Sequence, residues 1–122
     1  MDERIFTATD VVEFSDDRAK NTKLAQTDDS AVFVWGVKPG QEVPAHIHPD
    51  GQDTWIMIQG TLTYYLGNGE TEQIEAGQVD VAPKEAVHGT VNETDEDAIF
   101  VSIYSDPEIG FEEVDPHADQ AQ

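Results

Sequence analysis

GQEVPAHIHPDGQDTWIMIQG, residues 40–60, is the stretch on which the reading of this chain turns. It carries two histidines one residue apart, His46 and His48, then a carboxylate at Asp53, then an apolar run that ends at Gly60. Glu42 to His48 reads as a strand. Period-two alternation puts Val43, Ala45 and Ile47 on one face and Pro44, His46 and His48 on the other, so both imidazoles point the same way. They then stand roughly 6.5–7 Å apart along the strand, close enough for both rings to reach one ion. Pro49-Asp50-Gly51 is a turn, and an antiparallel return beyond it brings Asp53 beside the pair.

Working outward, the remaining histidine within a strand-like context is His88, inside GQVDVAPKEAVHGTVN, residues 77–92. It lies far away in the chain, and a barrel is the architecture that would bring it to the other two. Imidazole nitrogens suit divalent transition metals, and a carboxylate adds charge neutralisation. Histidines in this spacing are also common as surface or packing residues, so the pair alone decides little.

The flanking sequence supplies the barrel. AVFVWGV (31–37), residues 54–59, TLTYYL (61–66), residues 70–74, 79–82 and 87–91, and AIFVSIY (98–104) are β-branched and aromatic runs separated by Gly, Pro, Asn and Asp turns. Gly67-Asn68-Gly69 marks the clearest hairpin. Residues 5–7 and 11–14 read as short edge strands, 15–21 as a loop, and 23–26 as a brief extended piece. No helical period of useful length appears, so the chain is expected to be an all-β sandwich or barrel.

The two histidine stretches resemble the paired motifs of the cupin superfamily. The first motif runs Gly40, five residues, His46-x-His48, four residues, Asp53, six residues, Gly60. The second runs Gly77, five residues, Pro83-x-Glu85, two residues, His88, three residues, Asn92. The resemblance implies a small double-stranded β-helix, or jelly-roll, barrel over residues 31–105. Residues 1–30 would form an N-terminal arm covering it, and residues 106–122 an acidic tail with a disordered end. It also implies one divalent metal ion (Mn, Fe, Ni, Zn or Cu) on His46, His48 and His88, with Asp53 as a less certain fourth ligand, and a homodimer.

Two positions depart from the family pattern. Asp53 stands where glutamate is usual and is shorter by one C–C bond, about 1.5 Å; alternation favours it over its neighbour Gln52. Glu85 stands where the turn usually has glycine, and it is strained if that turn needs positive φ. With Asp53 inward, Trp55 and Met57 share its face. Trp35, Tyr64, Phe100 and Tyr104 join them as residues of the barrel interior, either core packing or walls of a pocket for a small-molecule ligand. Either Tyr64 or Tyr65 faces in. Ile56 and Ile58 then point outward and need a cover, from the N-terminal segment or a second subunit.

Composition bounds the rest. The chain has 122 residues, 26 acidic against 6 basic side chains and a formal charge of -20. That charge disfavours nucleic acid and anionic membranes as partners. A salt-rich, halophilic cytoplasm is the natural setting, because the Debye length at about 1 M salt is only ~3 Å. Cysteine is absent, which removes thiolate ligands and thiol nucleophiles. No targeting segment or membrane span is visible, and a cytoplasmic location is expected. His117 in the tail reads as solvated. The expected roles are a metal-dependent enzyme, dioxygenase-like or isomerase-like, acting on a small organic molecule; a non-enzymatic sensor or metabolite-binding barrel; or a storage barrel with a vestigial site.

Overall fold

The computed structural model describes residues 3–117. Ten strands in chain order build it: β1 Lys20–Gln26, β2 Ala31–Val37, β3 Glu42–Ile47, β4 Asp53–Gln59, β5 Thr61–Gly67, β6 Glu70–Glu75, β7 Val79–Ala82, β8 His88–Val91, β9 Ala98–Tyr104 and β10 Glu112–Glu113. They form two five-stranded antiparallel sheets, ordered β1-β2-β9-β4-β7 and β10-β3-β8-β5-β6. Apart from the hairpins β1–β2 and β5–β6, each of which stays within one sheet, successive strands cross between the sheets, which is the double-stranded β-helix expected from the resemblance.

The edge strands expected at residues 5–7 and 11–14 are not formed. One helical turn, α1 Ala8–Val11, lies there instead. The segment after it lies against β2, where a Cβ on Gly36 would sit 2.4 Å from the Glu13 carbonyl and 2.8 Å from the Phe14 ring. Strand β1 also starts at Lys20, within the stretch expected to be a loop.

The core lies between the sheets. Val37, Val43, Trp55, Met57, Leu62, Tyr64, Ile74, Ala98 and Phe100 form one buried cluster with Ala19, and Trp35 packs on it. Phe100 stacks on Trp55 at 4.1 Å between ring centroids and on Trp35 at 5.8 Å. The hairpin at Asn68-Gly69 forms as expected, with both residues at positive φ (58° and 76°) as a two-residue mirror turn requires.

Strict alternation fails in β3. Val43 pairs with Thr90 of β8, yet His46 pairs with His88, so β3 spends three residues where β8 spends two. The extra residue is a β-bulge, and it reverses the facing of the strand. Val43 and His46 are therefore both buried, which unbroken alternation forbids, and Pro44 is exposed in the bulge. Proline fits there because it has no ladder hydrogen to give. The expected grouping of Val43 with Ala45 and Ile47 on the face opposite the histidines is corrected accordingly.

Glu85 adopts φ 69°, and the Ala86 N–H donates to the Pro83 carbonyl at 2.9 Å. This is a turn with a left-handed third residue, a position that suits glycine. Its side chain is exposed, so nothing offsets the strain. Glu85→Gly is expected to raise stability by about 1 kcal/mol, read as an increased urea midpoint at unchanged slope. An unchanged or lower midpoint would show that the turn carries no strain.

Candidate metal centre

The bulge and the β3–β4 turn deliver the site. His46 comes from the end of β3, His48 from the first residue past it, His88 from the start of β8, and Asp53 from the start of β4 in the opposite sheet. All four are buried, at 3%, 2%, 1% and 2% exposure respectively. Each offers a ligand atom, and those atoms lie within 4.8 Å of one another, so the group could hold a metal ion. Gln52, the neighbouring alternative, is exposed and turned toward the Thr54 hydroxyl.

Hydrogen bonding fixes what the rings present. The Nδ1 atoms of His46, His48 and His88 lie 2.7, 2.6 and 3.1 Å from the carbonyls of Pro44, Gly110 and Ala86. A carbonyl can only accept, so each Nδ1 carries the hydrogen and, in the form of the ring that binds a metal, Nε2 turns a lone pair inward. The Nε2 atoms of His48 and His88 stand 3.3 and 3.2 Å from Asp53 Oδ2, an acceptor facing acceptors. His48 Nε2 is buried with no hydrogen-bond partner. A cation at this point would satisfy every one of these atoms, and the donor set of three imidazoles and a carboxylate fits a divalent transition metal. Burial pushes the His46 imidazole down to about 3, with the His88 and His48 rings adding to the effect, so it is neutral and available as a ligand.

Asp53 is held by more than its neighbours in the group. Ser102 Oγ donates to Oδ1 at 2.6 Å and Trp55 Nε1 donates to Oδ2 at 3.0 Å. Burial would raise this carboxyl; a proton on Nε2 of His48 or His88, or a cation in its place, would hold it below the usual carboxylate range, and the Ser102 hydroxyl lowers it further. Ser102 was missed in the sequence. Its signal was a lone hydroxyl on the inward face of AIFVSIY, between Phe100 and Tyr104.

The expected interior residues divide. Trp55 lies 5.6 Å ring to ring from His88, and Tyr104 lies 5.1 Å from His48. Met57, Phe100 and Tyr64 sit in the core cluster, and Trp35 packs against it further from the group. Of the two adjacent tyrosines, Tyr64 faces in, edge-on to Trp55, while Tyr65 is half-buried and bonds Glu42. Burial pushes the Tyr104 phenol up to about 12. A cavity of about 620 Å³ opens beside Trp35, Phe14, Arg18 and Lys20, and none of the four candidate ligands lines it.

Asp80 of β7 is a second carboxylate directed inward, opposite Trp55. Both its oxygens are shielded from water, with the Tyr64 hydroxyl beside them. Burial pushes its carboxyl up to about 7; the Tyr64 hydroxyl nearby pulls the other way, and the Asp53 charge adds to the rise. Asn92, the end of the second motif, has a structural task. Its amide donates to the Val37 and Glu96 carbonyls, and its oxygen accepts from Thr94, which closes the acidic loop before β9. His117 is exposed, as expected.

A buried group of three histidines and an aspartate between the sheets of a double-stranded β-helix defines a class, the small barrels with a candidate metal centre. This chain belongs to the cupin family: residues 33–104 match the cupin domain. An uncharacterised conserved protein with a double-stranded β-helix domain from Klebsiella pneumoniae is 38% identical, with a TM-score of 0.89 over 93% of this chain and 99% of that one. Auxin-binding protein ABP19b of Prunus persica is 31% identical over 81 residues, which are 63% of this chain and 39% of the relative, so the match spans well under half of that protein. Oxalate oxidase in complex with the substrate analogue glycolate shares the fold, with a TM-score of 0.71 at 20% identity over 91% of this chain and 60% of that one.

Proposed function

We propose that this cupin binds one divalent metal ion through His46, His48, His88 and Asp53, and acts at that ion on a small organic molecule. The observation that carries this reading is the inward convergence of acceptor-only atoms: Nε2 lone pairs, one of them orphaned, set against a buried carboxylate. The ion would supply Lewis-acid polarisation of a bound oxygen. Around it, the protein's own groups do the positioning. Asp53 is oriented by Ser102 and Trp55, and the Tyr104 ring, its phenol neutral at physiological pH, lies 5.1 Å from the ring of His48. A dioxygenase-like or isomerase-like activity fits such a centre. Metal analysis of the native protein beside His46→Ala and His88→Ala tests the reading. About one equivalent of metal in the native protein and little in either variant is expected; equal metal in all three preparations would end it.

The family's common assembly and the composition support two further parts of this reading. The outer face of β4 and the edge strand β7 remains apolar: Val79 and Val81 are 58% and 53% exposed beside half-buried Ile56 and Ile58. A homodimer would cover it. Among the described residues Lys38 pairs with Asp16, and with 26 acidic against 6 basic side chains in the sequence most carboxylates have no cationic side chain to match them. Screening of their mutual repulsion stabilises the folded state. Melting temperature is expected to rise steadily between about 0.01 and 1 M KCl, with a dimer mass by light scattering at the upper end. A flat melting curve would remove the case for a salt-adapted protein, and a monomer mass would remove the dimer.

A further inference from the structure

The three imidazoles are not held alike. His46 and His88 bond carbonyls two residues back in their own chain segments, at Pro44 and Ala86, so their tautomers are secured as soon as β3 and β8 form. His48 bonds the carbonyl of Gly110, 62 residues downstream. Its orientation depends on the C-terminal segment returning to the barrel.

That return is latched. Ile109 is 1% exposed and fills the space over Gly51, where a Cβ would lie 2.0 Å from Ile109 Cγ2. The Asp50 N–H donates to the Ile109 carbonyl at 3.0 Å. Gly110 then turns the chain, and Phe111 lays its ring on His46 at 4.7 Å between centroids, nearly parallel at 26°. Strand β10 follows, pairing Glu112 with Ile47 and Glu113 with His46, and the Val114 N–H donates to the Ala45 carbonyl.

We propose that the turn Ile109–Phe111 is a positioning element of the metal centre, with the Gly110 carbonyl setting the tautomer of His48 and Phe111 bracing the ring of His46. The proposal rests on the metal reading above. The alternative tautomer of His48 would aim a hydrogen where a lone pair is needed. Loss of such an outer partner commonly weakens metal binding by about 10–100-fold.

Full-length Ile109→Ala unlatches the turn by removing its anchor, and Gly51→Ala does so by crowding it. Histidine ring tautomers of the metal-free protein are read from long-range ¹H–¹⁵N correlations, and zinc affinity from competition with a chelator. In the native protein His48 is expected as the Nδ1–H form. In both variants that form is lost for His48 and kept for His88, and zinc binding weakens by about 10–100-fold. Ile109→Val restores both readouts. Ile74→Ala, a core lesion in β6 outside the turn, separates general destabilisation from positioning and leaves both unchanged. An unaltered His48 tautomer and zinc affinity in Ile109→Ala would overturn the proposal, and so would an equal affinity loss in Ile74→Ala. Absence of zinc binding by the native protein would overturn the metal reading instead, with the tautomer of His48 still deciding the role of the turn.

Discussion

His88→Ala is expected to melt at a temperature that no longer responds to divalent metal, whereas the native protein is strongly stabilised by it. An ion bound to the folded state alone stabilises by RT ln(1 + [M]/Kd), about 4 kcal/mol at a thousandfold excess over Kd. His88 is 1% exposed and its Nε2 faces Asp53 Oδ2 at 3.2 Å, so its removal deletes one of the four residues that, among the described residues, make up the group. The metal-free variant also loses some stability, because a buried ring is replaced by a methyl group and a cavity remains. The quantity that decides is therefore the increment on adding metal, not the melting temperature itself. Scanning calorimetry with and without zinc gives it. A full increment in His88→Ala would mean that metal binds elsewhere or that the other three residues suffice.

The parts of this structure that were readable in the sequence are those set by spacing and period. The run from Ala31 to Val37, the hairpin at Asn68-Gly69 and the inward set Asp53, Trp55 and Met57 follow from β-branched content, turn residues and alternation, and they stand where those signals put them. The meeting of His88 with His46 and His48 depended on the pairing of distant strands, and only the matched motifs gave it. What stayed hidden was non-local or rule-breaking. The bulge in β3 has no marker beyond Pro44, and it turns the strand so that Val43 and His46 both point in. The N-terminal segment looked like strands by composition, but it folds as one helical turn followed by a stretch laid over Gly36 of β2. The Gly110 carbonyl carries no sequence signal at all, because any residue supplies one. Asp80 was passed over as one acid among 26, and only its inward register opposite Trp55 separates it from the solvated ones.

That residue carries the last expectation. In the unfolded chain Asp80 titrates near 3.9. In the folded protein burial raises it to about 7, helped by the Asp53 charge. Between those values the folded state holds the proton that the unfolded state has released. Stability therefore falls as pH rises through this window, and it levels off above about 7. Three pH units at 1.36 kcal/mol each set an upper bound of about 4 kcal/mol. The residue is only partly buried, and solvent screening brings a realistic figure to roughly 2 kcal/mol. Asp80→Asn keeps the shape and never ionises. The metal-free variant should exceed the native protein by about 2 kcal/mol at pH 8.5 and by roughly half of that at pH 5.5, where Asp80 is neutral in the folded state but ionised in the unfolded chain. Urea unfolding at the two pH values measures the difference. Metal-free protein is needed, because a cation on the Asp53 group would favour the charged form of Asp80 and shrink the effect. An equal gain at both pH values would show that the amide merely packs better, and no gain at either would show that the carboxylate finds water in the folded state.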